Sequence, residues 1–371
     1  MMSARFLTVV LERAFNMRDG FGREIDYMRI SVIDSCNLNC YYCNPCDNNE
    51  HCHALNILSV KEVLCIVRAA TRLGIKHFRL TGGEPLLHPQ LDEMVLQIKK
   101  IPGVSSVSLT TNAVLLAQHA KWLKEAGIDS INVSLDTIDA SEYERITKKQ
   151  LLEEVKHGIN AAIECGIRVK INVVLTPQTD VVALTRYVAK KGTDIRFIEM
   201  MPVGEGHTNG VEPYKKVIGT LSKLYGEPCR INTEKTKEIN SGNDKRKIPD
   251  NGPAEYYIFP ELGIRVGLIQ AIHGKFCDTC NRIRVTADGR LMPCLGSSVT
   301  MDLVPDSWDF ADDVEKDFAI VRALRAAIKA KPRCHNFNDN AVTYTKTTET
   351  KTTEIEAAEV NAARNMSRIG G

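Results

Sequence analysis

Three closely spaced cysteines constrain this chain more than any other feature of its sequence. Cys36, Cys40 and Cys43 follow a short apolar run, residues 28–33, that is typical of a strand. Four-iron clusters normally take four thiolate ligands, so three thiolates in one loop leave one iron without a protein ligand. As at catalytic zinc sites, an open coordination position favours a reactive centre over a structural one. The spacing therefore predicts an iron–sulfur cluster that a chelating small molecule can bind and draw an electron from.

A zinc site is the alternative for this stretch, because further potential ligands lie just downstream at Cys46, His51, Cys52 and His53. The CxxxCxxC spacing, with the aromatic Tyr42 before the third cysteine, favours iron–sulfur. With these residues the sequence resembles the radical S-adenosylmethionine (SAM) enzymes. That resemblance implies that Tyr42 packs on the adenine of SAM.

Strand and helix patterns alternate through residues 28–200, and the repeat stops beyond Pro202. Strands are predicted at 28–33, 77–81, 104–109, 130–135, 168–175 and 194–200, and helices at 60–73, 91–101, 115–126, 151–165 and 182–190. Such alternation implies parallel strands joined by right-handed crossovers. Six units are two short of a full eight-unit barrel. The pattern predicts an α/β fold, an incomplete (β/α)6 TIM-type barrel with a wide mouth.

Polar residues follow each predicted strand, at the end where barrel active sites are built. After the cysteine loop come Gly82-Gly83-Glu84-Pro85, Thr110-Thr111-Asn112, Ser134 and Asp136, Lys170 and Asn172, and Glu199 and Met201. Some of these side chains will only cap helices or satisfy backbone groups. Their succession at six strand ends still predicts one polar site at the barrel mouth.

A second cysteine triplet, Cys277, Cys280 and Cys294, lies in the C-terminal half. Short strands are predicted around it at 256–259, 264–269 and 283–286, and Asp288-Gly289 is a hairpin turn signal. A hairpin there would return Cys294 to the other two cysteines. By itself the triplet fits zinc or iron–sulfur, and the presence of the first triplet favours a second iron–sulfur cluster, in a β-containing C-terminal extension.

Zinc is again the alternative at this triplet, with His273 or Cys334 as a fourth ligand. Arg282 and Arg284 alternate with one residue between them on a predicted strand, so they share one face. Their ordinary role would be a surface salt bridge. Beside a cofactor site, two planar guanidinium groups on one face favour a clamp for phosphate or for a base edge.

Composition limits the class of protein. A chain of 371 residues that is 43% hydrophobic is long enough to bury a large core. A net charge of +2 gives no reason to expect a nucleic acid or an anionic membrane as partner. Twelve cysteines without a secretory signal, and no apolar run long enough to span a bilayer, favour a soluble cytoplasmic protein with reduced thiols.

Three regions are expected along the chain. Residues 1–203 form the barrel, 204–340 a C-terminal domain with the second cluster, and 341–371 a polar tail that ends in Gly370-Gly371. Within the tail, residues 341–359 are rich in Thr, Lys and Glu, which fits either a solvated helix or a disordered segment. On composition alone, the Gly-Gly end is a frayed terminus.

Taken together, these motifs resemble the radical SAM GTP 3′,8-cyclase family of molybdenum cofactor biosynthesis. The matching motifs run from Phe21-Gly22-Arg23 and Arg29-Ile30-Ser31 through residues 36–43, 81–85, 134–136, 196–199, 252–254, 276–284, 287–289 and 294–295 to Gly370-Gly371. The second triplet and the Gly-Gly end are the specific part, because the first triplet occurs throughout a large superfamily. The sequence departs from the family pattern at Ile33, Ser35, Asn44 and His77, and Cys46 and Cys52 have no counterpart.

The resemblance implies SAM, two [4Fe–4S] clusters and a radical reaction on GTP. In that reaction a 5′-deoxyadenosyl radical takes the 3′ hydrogen of GTP, and the resulting carbon radical attacks C8 of guanine. By motif matching, the residues that contact SAM are Tyr42, Gly83, Ser134 and Met201. Those that line the GTP site are Arg29, Arg79, Thr110, Lys170, Arg196, Arg282 and Arg284. The open iron at Cys277, Cys280 and Cys294 would meet the guanine edge, and Arg282, Arg284, Gly370 and Gly371 would be catalytic, with the tail entering the active site.

The resemblance also implies partners: a low-potential electron donor such as ferredoxin or flavodoxin, and a downstream cyclic pyranopterin monophosphate synthase. It leaves a homodimer open. Two other functions remain as alternatives. One is a related two-cluster radical enzyme that acts on another nucleotide or on a peptide, and the other is a non-catalytic zinc- or cluster-binding module.

Overall fold

The computed structural model describes residues 17–43, 56–203, 210–231, 252–297, 299–303, 313–335 and 337. The predicted roles of Gly370 and Gly371, the tail 341–371, Asn44 and the possible zinc ligands at 46–53 lie outside these residues. In the described part of the chain, no helix is long and apolar enough to cross a membrane.

Strands and helices alternate through the first half of the chain, as the sequence predicts. The strands are β1 (Tyr27–Ser31), β2 (His77–Thr81), β3 (Ser106–Thr111), β4 (Ser130–Ser134), β5 (Val169–Val174) and β6 (Asp194–Ile198). The helices are α1 (Val60–Arg72), α2 (Leu91–Lys99), α3 (Leu116–Glu125), α4 (Ala140–Thr147), α5 (Leu152–Glu164) and α6 (Val181–Lys190). The predicted boundaries differ from these by at most two residues.

Local sequence explains where the helices begin and end. At α1, Ser59 and Glu62 form the predicted capping box: the Ser59 side chain accepts from the Glu62 N–H at 3.3 Å, and the Glu62 carboxylate accepts from the Ser59 N–H at 2.7 Å. Gly74 follows the end of this helix at φ 86°, a left-handed conformation that favours glycine. Gly127 and Gly166 end α3 and α5 in the same way.

The short helix α4 was not predicted from the sequence. Asp139 caps it by accepting from the Glu142 N–H at 2.8 Å, and Tyr143 and Ile146 are its buried apolar residues. The Asp-to-Glu spacing before an apolar pair is a helix-start signal that could have located it.

The second half of the chain adds six strands and two helices among the described residues. These are α7 (Gly219–Tyr225), β7 (Cys229–Ile231), β8 (Glu255–Ile258), β9 (Arg265–Ile269), β10 (Arg282–Val285), β11 (Arg290–Met292), β12 (Met301–Asp302) and α8 (Asp313–Lys329). A single π-helical turn, Tyr214–Ile218, leads into α7. The predicted β10–β11 hairpin is confirmed, with Gly289 at φ 76° in its turn.

All twelve strands of the described chain join one sheet, in the order β12-β11-β10-β1-β2-β3-β4-β5-β6-β9-β8-β7. Strands β1 to β6 are parallel, β10 is parallel to β1 at one edge, and β9 is parallel to β6 at the other. The strand–helix repeat does stop near residue 202. However, the C-terminal half supplies two further parallel strands to the same sheet, which brings the second triplet beside the first strand.

A continuous apolar core lies between the parallel strands and the surrounding helices. Its largest fully buried side chains include Phe78, Phe197, Met28 and Leu80. A separate small cluster of Val203, Ala271, Met292 and Phe337 packs at the C-terminal side. The polar side chains described below lie on the inner face of the sheet and at its carboxyl-end edge.

Candidate functional site

One cavity at the carboxyl ends of the parallel strands collects both cysteine triplets. Cys36, Cys40 and Cys43 line it together with Cys277, Cys280 and Cys294. The other sequence-predicted residues that line it are Tyr42, Gly83, Ser134, Met201, Arg29, Arg79, Thr110, Arg196, Arg282 and Arg284. The structure thus brings together the residues that the sequence assigned to two separate motifs.

Lys170 is the one described candidate that does not line the cavity. It is 5% exposed, and its Nζ lies 5.9 Å from the centre of the Tyr256 ring. Asn172, two residues further along β5, does line the cavity. Because side chains alternate along a strand, Lys170 shares the face of Asn172 but lies one layer deeper in the barrel.

The loop of the first triplet is held by the helix that the sequence analysis missed. The backbone N–H of Asn39 donates to Thr147 O at 3.0 Å, and that of Tyr41 donates to Ile146 O at 3.1 Å. These carbonyls are at the C-terminal end of α4, where backbone acceptors have no partner within the helix. The end of α4 therefore fixes the loop that carries Cys40 and Cys43.

Gly82 and Gly83 are required by a close approach of two backbone segments. A Cβ at Gly83 would lie 2.2 Å from Ser35 O, and one at Gly82 would lie 2.3 Å from Ile33 O. The Gly83 N–H donates to Ile33 O at 2.7 Å. The paired glycines therefore seat the residues just before Cys36, in addition to lining the cavity.

Tyr42 is oriented by a buried carboxylate. Its hydroxyl donates to Asp136 Oδ2 at 2.5 Å, and Asp136 Oδ1 accepts from the Val174 N–H at 2.7 Å. Burial raises the pKa of Asp136 to about 6, against the opposing effect of these two hydrogen bonds. Asp136 therefore holds the ring that is predicted to pack on SAM.

The sulfur environment fits an iron–sulfur cluster at the first triplet. Burial raises the pKa of the Cys36 thiol to about 11 and that of Cys43 to about 12. Cationic metal centres bind thiols in the deprotonated form, so a cluster would offset this cost. Cys36 Sγ also accepts from the Leu38 N–H at 3.5 Å and from Asn112 Nδ2 at 3.7 Å. Such hydrogen bonds to sulfur are typical of cluster ligands.

The second triplet is formed by a 3₁₀ turn and the hairpin. Cys277 begins the turn Cys277–Thr279, Cys280 follows it, and β11 returns the chain to Cys294. Arg282 and Lys331 lower the pKa of the Cys280 thiol to about 7, although burial acts in the opposite direction. The donor set fits a second cluster, as the sequence predicts.

Of the alternative zinc ligands, only His273 and Cys334, both candidates for the second triplet, lie among the described residues. His273 pairs through Nδ1 with the Glu199 carboxylate, and Cys334 is exposed. Within the described ranges, no three Cys, His, Asp or Glu side chains converge closely enough to hold a single metal ion. The thiolates of a four-iron cluster bind different irons, so they need not converge on one point.

Three arginines lie side by side across the inner face of the sheet. Arg29 on β1 is the register partner of Arg284 on β10 and of Arg79 on β2. Neighbouring strands are about 4.8 Å apart, so the three positive charges are held close together. Burial, and then Arg284 and Arg79, lower the pKa of Arg29 well below its usual value. Burial and Arg282 lower the pKa of Arg284 to about 10. An anion at this row would interact with several guanidinium groups at once.

A second polar group lies opposite this row. Arg196 donates through Nε to Asn172 Oδ1 at 2.9 Å and through Nη2 to Asn132 Oδ1 at 2.6 Å. Among the described residues that line the cavity, Thr110 Oγ1 and Arg282 Nε are buried without a hydrogen-bond partner. Buried polar atoms are normally paired, so these two favour a polar ligand in the cavity.

The departure at position 77 lies beside the arginine row but not on the cavity wall. His77 stacks on Tyr27 with ring centres 6.4 Å apart, and its Nδ1 pairs with Ser106 Oγ at 2.8 Å. Tyr27 in turn lies 5.5 Å from the Arg79 guanidinium. Burial lowers the pKa of His77 below its usual value, which favours the neutral ring at pH 7.

Several residues at the site could not be identified from motifs alone. Lys331 and His335 line the cavity from the segment after α8, and Phe276 places its ring 5.0 Å from the Arg282 guanidinium. Glu199 accepts from the Ile272 N–H at 2.7 Å. Phe276 and Glu199 lie in motifs that the sequence analysis had singled out, whereas Lys331 and His335 gave no sequence signal.

Glu84 supports the first triplet from behind the cavity and should make stability depend on pH. It is 1% exposed and accepts from Thr111 Oγ1 at 2.7 Å, the Asn112 N–H at 2.7 Å and the Leu86 N–H at 3.0 Å. Burial raises its pKa from 4.5 to about 7, although the three hydrogen bonds oppose the shift. The folded protein therefore holds a proton that the unfolded chain releases.

We expect stability to fall as pH rises from about 4.5 through 7, because the raised pKa favours the folded state only while Glu84 is protonated. The full effect is about 3 kcal/mol for a shift of this size. The free energy of unfolding of the apoprotein is measured with urea at several pH values. In the Glu84→Gln variant, this part of its pH dependence should be missing. The exposed Glu93→Gln serves as the matched control. Equal slopes for Glu84→Gln and the unaltered protein would contradict the assignment.

Comparison with known proteins places the chain among radical SAM enzymes. Residues 30–183 match the Radical SAM superfamily, and residues 193–337 match the family described as Molybdenum Cofactor Synthesis C. The chain is 35% identical to the GTP 3′,8-cyclase of Clostridium perfringens (strain SM101 / Type A) over 324 residues, which cover 86% of this chain and 95% of the relative. It is 36% identical to the GTP 3′,8-cyclase of Pelotomaculum thermopropionicum over 327 residues, with 86% and 95% covered.

Among solved structures, the fold resembles that of Streptococcus suis SuiB. The TM-score is 0.52 at 14% identity, with 73% of this chain and 60% of SuiB covered. For SuiB bound to the precursor peptide SuiA, the TM-score is 0.53 at 14% identity, with 87% and 69% covered. At this identity the likeness supports the fold alone, and the predicted partial TIM-type barrel with a C-terminal extension is confirmed.

Proposed function

Because the chain belongs to the GTP 3′,8-cyclase family, we propose that it converts GTP to (8S)-3′,8-cyclo-7,8-dihydroguanosine 5′-triphosphate in molybdopterin biosynthesis. It is a radical SAM enzyme whose family uses SAM and two [4Fe–4S] clusters. One observation supports the proposal more than any other: two three-cysteine sites face a single cavity whose inner wall carries a row of arginines.

The first triplet serves SAM cleavage. When bound, its cluster supplies the electron that cleaves SAM to methionine and a 5′-deoxyadenosyl radical. Tyr42, Gly83, Ser134 and Met201 hold SAM beside it. The Asp136 carboxylate fixes the Tyr42 ring, so that the adenine packs on a surface with one orientation. A fixed adenine places the reactive 5′ carbon at a defined position in the cavity.

The opposite wall binds the nucleotide. Arg29, Arg79 and Arg284 bind the triphosphate, since a row of guanidinium groups matches a chain of phosphate oxygens. Arg196 and Thr110 hold the ribose and phosphates from the facing strands. Lys170, on the same face of β5 as Asn172 and one layer below it, contributes positive charge to the nucleotide site.

Arg282 and the second triplet hold the guanine. The Arg282 guanidinium lies over the Phe276 ring and carries the buried Nε that lacks a partner among the described residues. The base is thereby held over the ribose, so that C8 lies near C3′. A carbon radical reacts with many groups, so fixing the two reacting atoms in a closed cavity decides which bond forms.

Other proteins are needed for turnover. The reaction uses a low-potential electron donor, of the ferredoxin or flavodoxin class, and its product passes to a cyclic pyranopterin monophosphate synthase. We propose that the protein works in the cytoplasm together with these partners. We further propose that the Gly370-Gly371 end enters the active site and that the barrel and the C-terminal domain meet at residues 203–204.

The proposal is tested by anaerobic reconstitution with iron and sulfide, followed by incubation with SAM, a reductant and each nucleoside triphosphate in turn. We expect 5′-deoxyadenosine and a cyclised product only with GTP. We also expect about eight irons and no zinc per chain, if each triplet holds a four-iron cluster. Product from a different nucleotide would favour the related two-cluster enzyme, and zinc in place of iron would favour the binding module.

Deletion of the last two residues separates the cyclase from related two-cluster enzymes. The variant that ends at Ile369 should lose its cyclised product while it retains SAM cleavage, because the tail acts on the nucleotide and not on the first cluster. Product and 5′-deoxyadenosine are measured together by liquid chromatography, with the unaltered chain as control. Full retention of product by the deletion variant would contradict the role of the tail.

A further inference from the structure

A buried lysine links the two chain segments that carry Cys280 and Cys294, ligands of the second triplet. Lys331 follows α8 and is 3% exposed. Its Nζ donates to Arg282 O at 2.8 Å and to Pro293 O at 2.9 Å. Arg282 begins β10, two residues after Cys280, and Pro293 immediately precedes Cys294. One ammonium group therefore fixes the distance between the chain segments of these two ligands.

The same ammonium group lies beside the second triplet. Its two carbonyl partners belong to the residue two positions after Cys280 and to the residue just before Cys294, so a buried positive charge lies near both ligands. Net charge is one of the factors that set the reduction potential of iron–sulfur centres. Lys331 is therefore placed to affect the second cluster through its charge as well as through the position of the two ligand segments.

A second buried cation anchors the segment that carries Lys331. Arg23 donates to Pro332 O at 2.6 Å, to Arg333 O at 2.9 Å and to Cys277 O at 2.7 Å. The segment after α8 is thus tied to the third ligand of the same triplet. Because the backbone on either side of Lys331 is fixed, its ammonium group cannot move away from the hairpin at low cost.

We propose that Lys331 is a positioning residue of the second cluster, which sets the separation of Cys280 and Cys294 and raises the reduction potential through its positive charge. This inference assumes one part of the proposed function, namely that the second triplet holds a cluster. It concerns neither the nucleotide nor SAM. Outer residues of this kind typically change metal affinity by about 10- to 100-fold.

The test uses the full chain with Cys36, Cys40 and Cys43 changed to Ser, so that only the second triplet can hold a cluster. In this background Lys331→Met removes donors and charge, Lys331→Gln keeps two N–H donors without charge, and Lys331→Arg keeps both. Lys124→Met is the matched control, because Lys124 donates to Gly166 O at 2.8 Å on the exposed side of α3. After anaerobic reconstitution, the rate of iron loss to a chelator and the cluster's reduction potential are measured.

We expect Lys331→Met to lose iron about tenfold faster than the parent or more, and its remaining cluster to have a lower potential. Lys331→Gln should lose iron more slowly than Lys331→Met, but its cluster should have the same lowered potential. Lys331→Arg should resemble the parent in the rate of iron loss and in the potential. Lys124→Met should change neither quantity. If Lys331→Met fails to fold, the proposal is tested by comparing Lys331→Gln with Lys331→Arg: equal iron loss and equal potentials in these two variants would overturn it.

Equal potentials for the Gln and Arg variants would overturn the role of the charge, and unchanged iron loss in Lys331→Met would overturn the positioning role. A parent that binds no iron overturns the cluster assignment and the inference with it. That result differs from a failure of the proposed nucleotide chemistry, which leaves iron binding intact.

Discussion

Replacing Cys277 with Ser should nearly abolish cyclisation of GTP while leaving measurable cleavage of SAM. Serine is a poor ligand for cluster iron, so the second cluster would be lost or displaced. The first triplet should stay intact, because its loop is held by α4 and by Gly82-Gly83, and the backbone hydrogen bonds that hold it do not involve Cys277. Misplacing the nucleotide by about 1 Å costs about 100-fold in rate. We therefore expect the rate of cyclised product formation to fall by about 100-fold or more.

The measurement compares 5′-deoxyadenosine with cyclised product in the same anaerobic reaction. Cys229→Ser is the matched control, because Cys229 is an exposed cysteine on β7 that does not line the cavity. Cys40→Ser should remove both products. If SAM cleavage disappears in Cys277→Ser as well, the division of labour between the two sites is wrong.

Replacing Arg23 with Met should strongly destabilise the protein. The Arg23 side chain is 7% exposed and pairs with Asp19, whose side chain is fully buried, at 2.5 Å. Its other nitrogens donate to the carbonyls of Cys277, Pro332 and Arg333. The variant leaves a buried carboxylate without its cation, a change that costs about 3–5 kcal/mol. Total stabilities are about 5–15 kcal/mol, so this is a large fraction.

Urea unfolding of the apoprotein measures this effect without interference from the clusters. Arg145→Met removes an exposed ion pair with Glu142, three residues away on α4, and should change stability by about 0.5 kcal/mol or less. The double variant Asp19→Asn/Arg23→Met should recover part of the loss, because the buried charge is then gone. A change below about 1 kcal/mol in Arg23→Met would contradict the assigned role.

The first half of the fold follows from local signals that the sequence displays directly. Ser59 and Glu62 fix the start of α1, Gly74 marks its end, and each apolar run between such signals becomes a strand. The helix α4 escaped prediction because it is short and lies close before the longer α5. Its cap at Asp139 was the only strong signal, and its importance lies in a backbone contact with the cysteine loop.

The parallel pairing of β9 and β10 with the barrel could not be predicted, because it is set by tertiary contacts and not by local pattern. A hairpin signal at Asp288-Gly289 gives the relation of β10 to β11, but nothing in it identifies β1 as the other neighbour. The same limit applies to Lys331, which is an ordinary lysine in the sequence. Its role follows from the two carbonyl oxygens, of Arg282 and Pro293, that accept from its Nζ at 2.8 and 2.9 Å.

At the site, residue types and motifs predicted which side chains gather at the cavity, but not how far each one lies from the cavity wall. Lys170 and Asn172 were both expected at the barrel mouth, but Asn172 lines the cavity and Lys170 lies one layer below its wall. The arginine row shows the opposite case. Its members came from a family resemblance, and the register of three neighbouring strands gives the physical reason for their proximity.

The pairing of β1 with β10 has a consequence for how this protein is made. Asp26 and Asn281, which bond at the start of this pair, are 255 residues apart in sequence. During synthesis β1 is translated early. The edge of β1 that pairs with β10 stays unpaired until most of the chain has been translated. Contacts this distant form slowly, and an unpaired edge invites association with other chains. Nascent chains of this protein should therefore need protection from aggregation until β10 arrives.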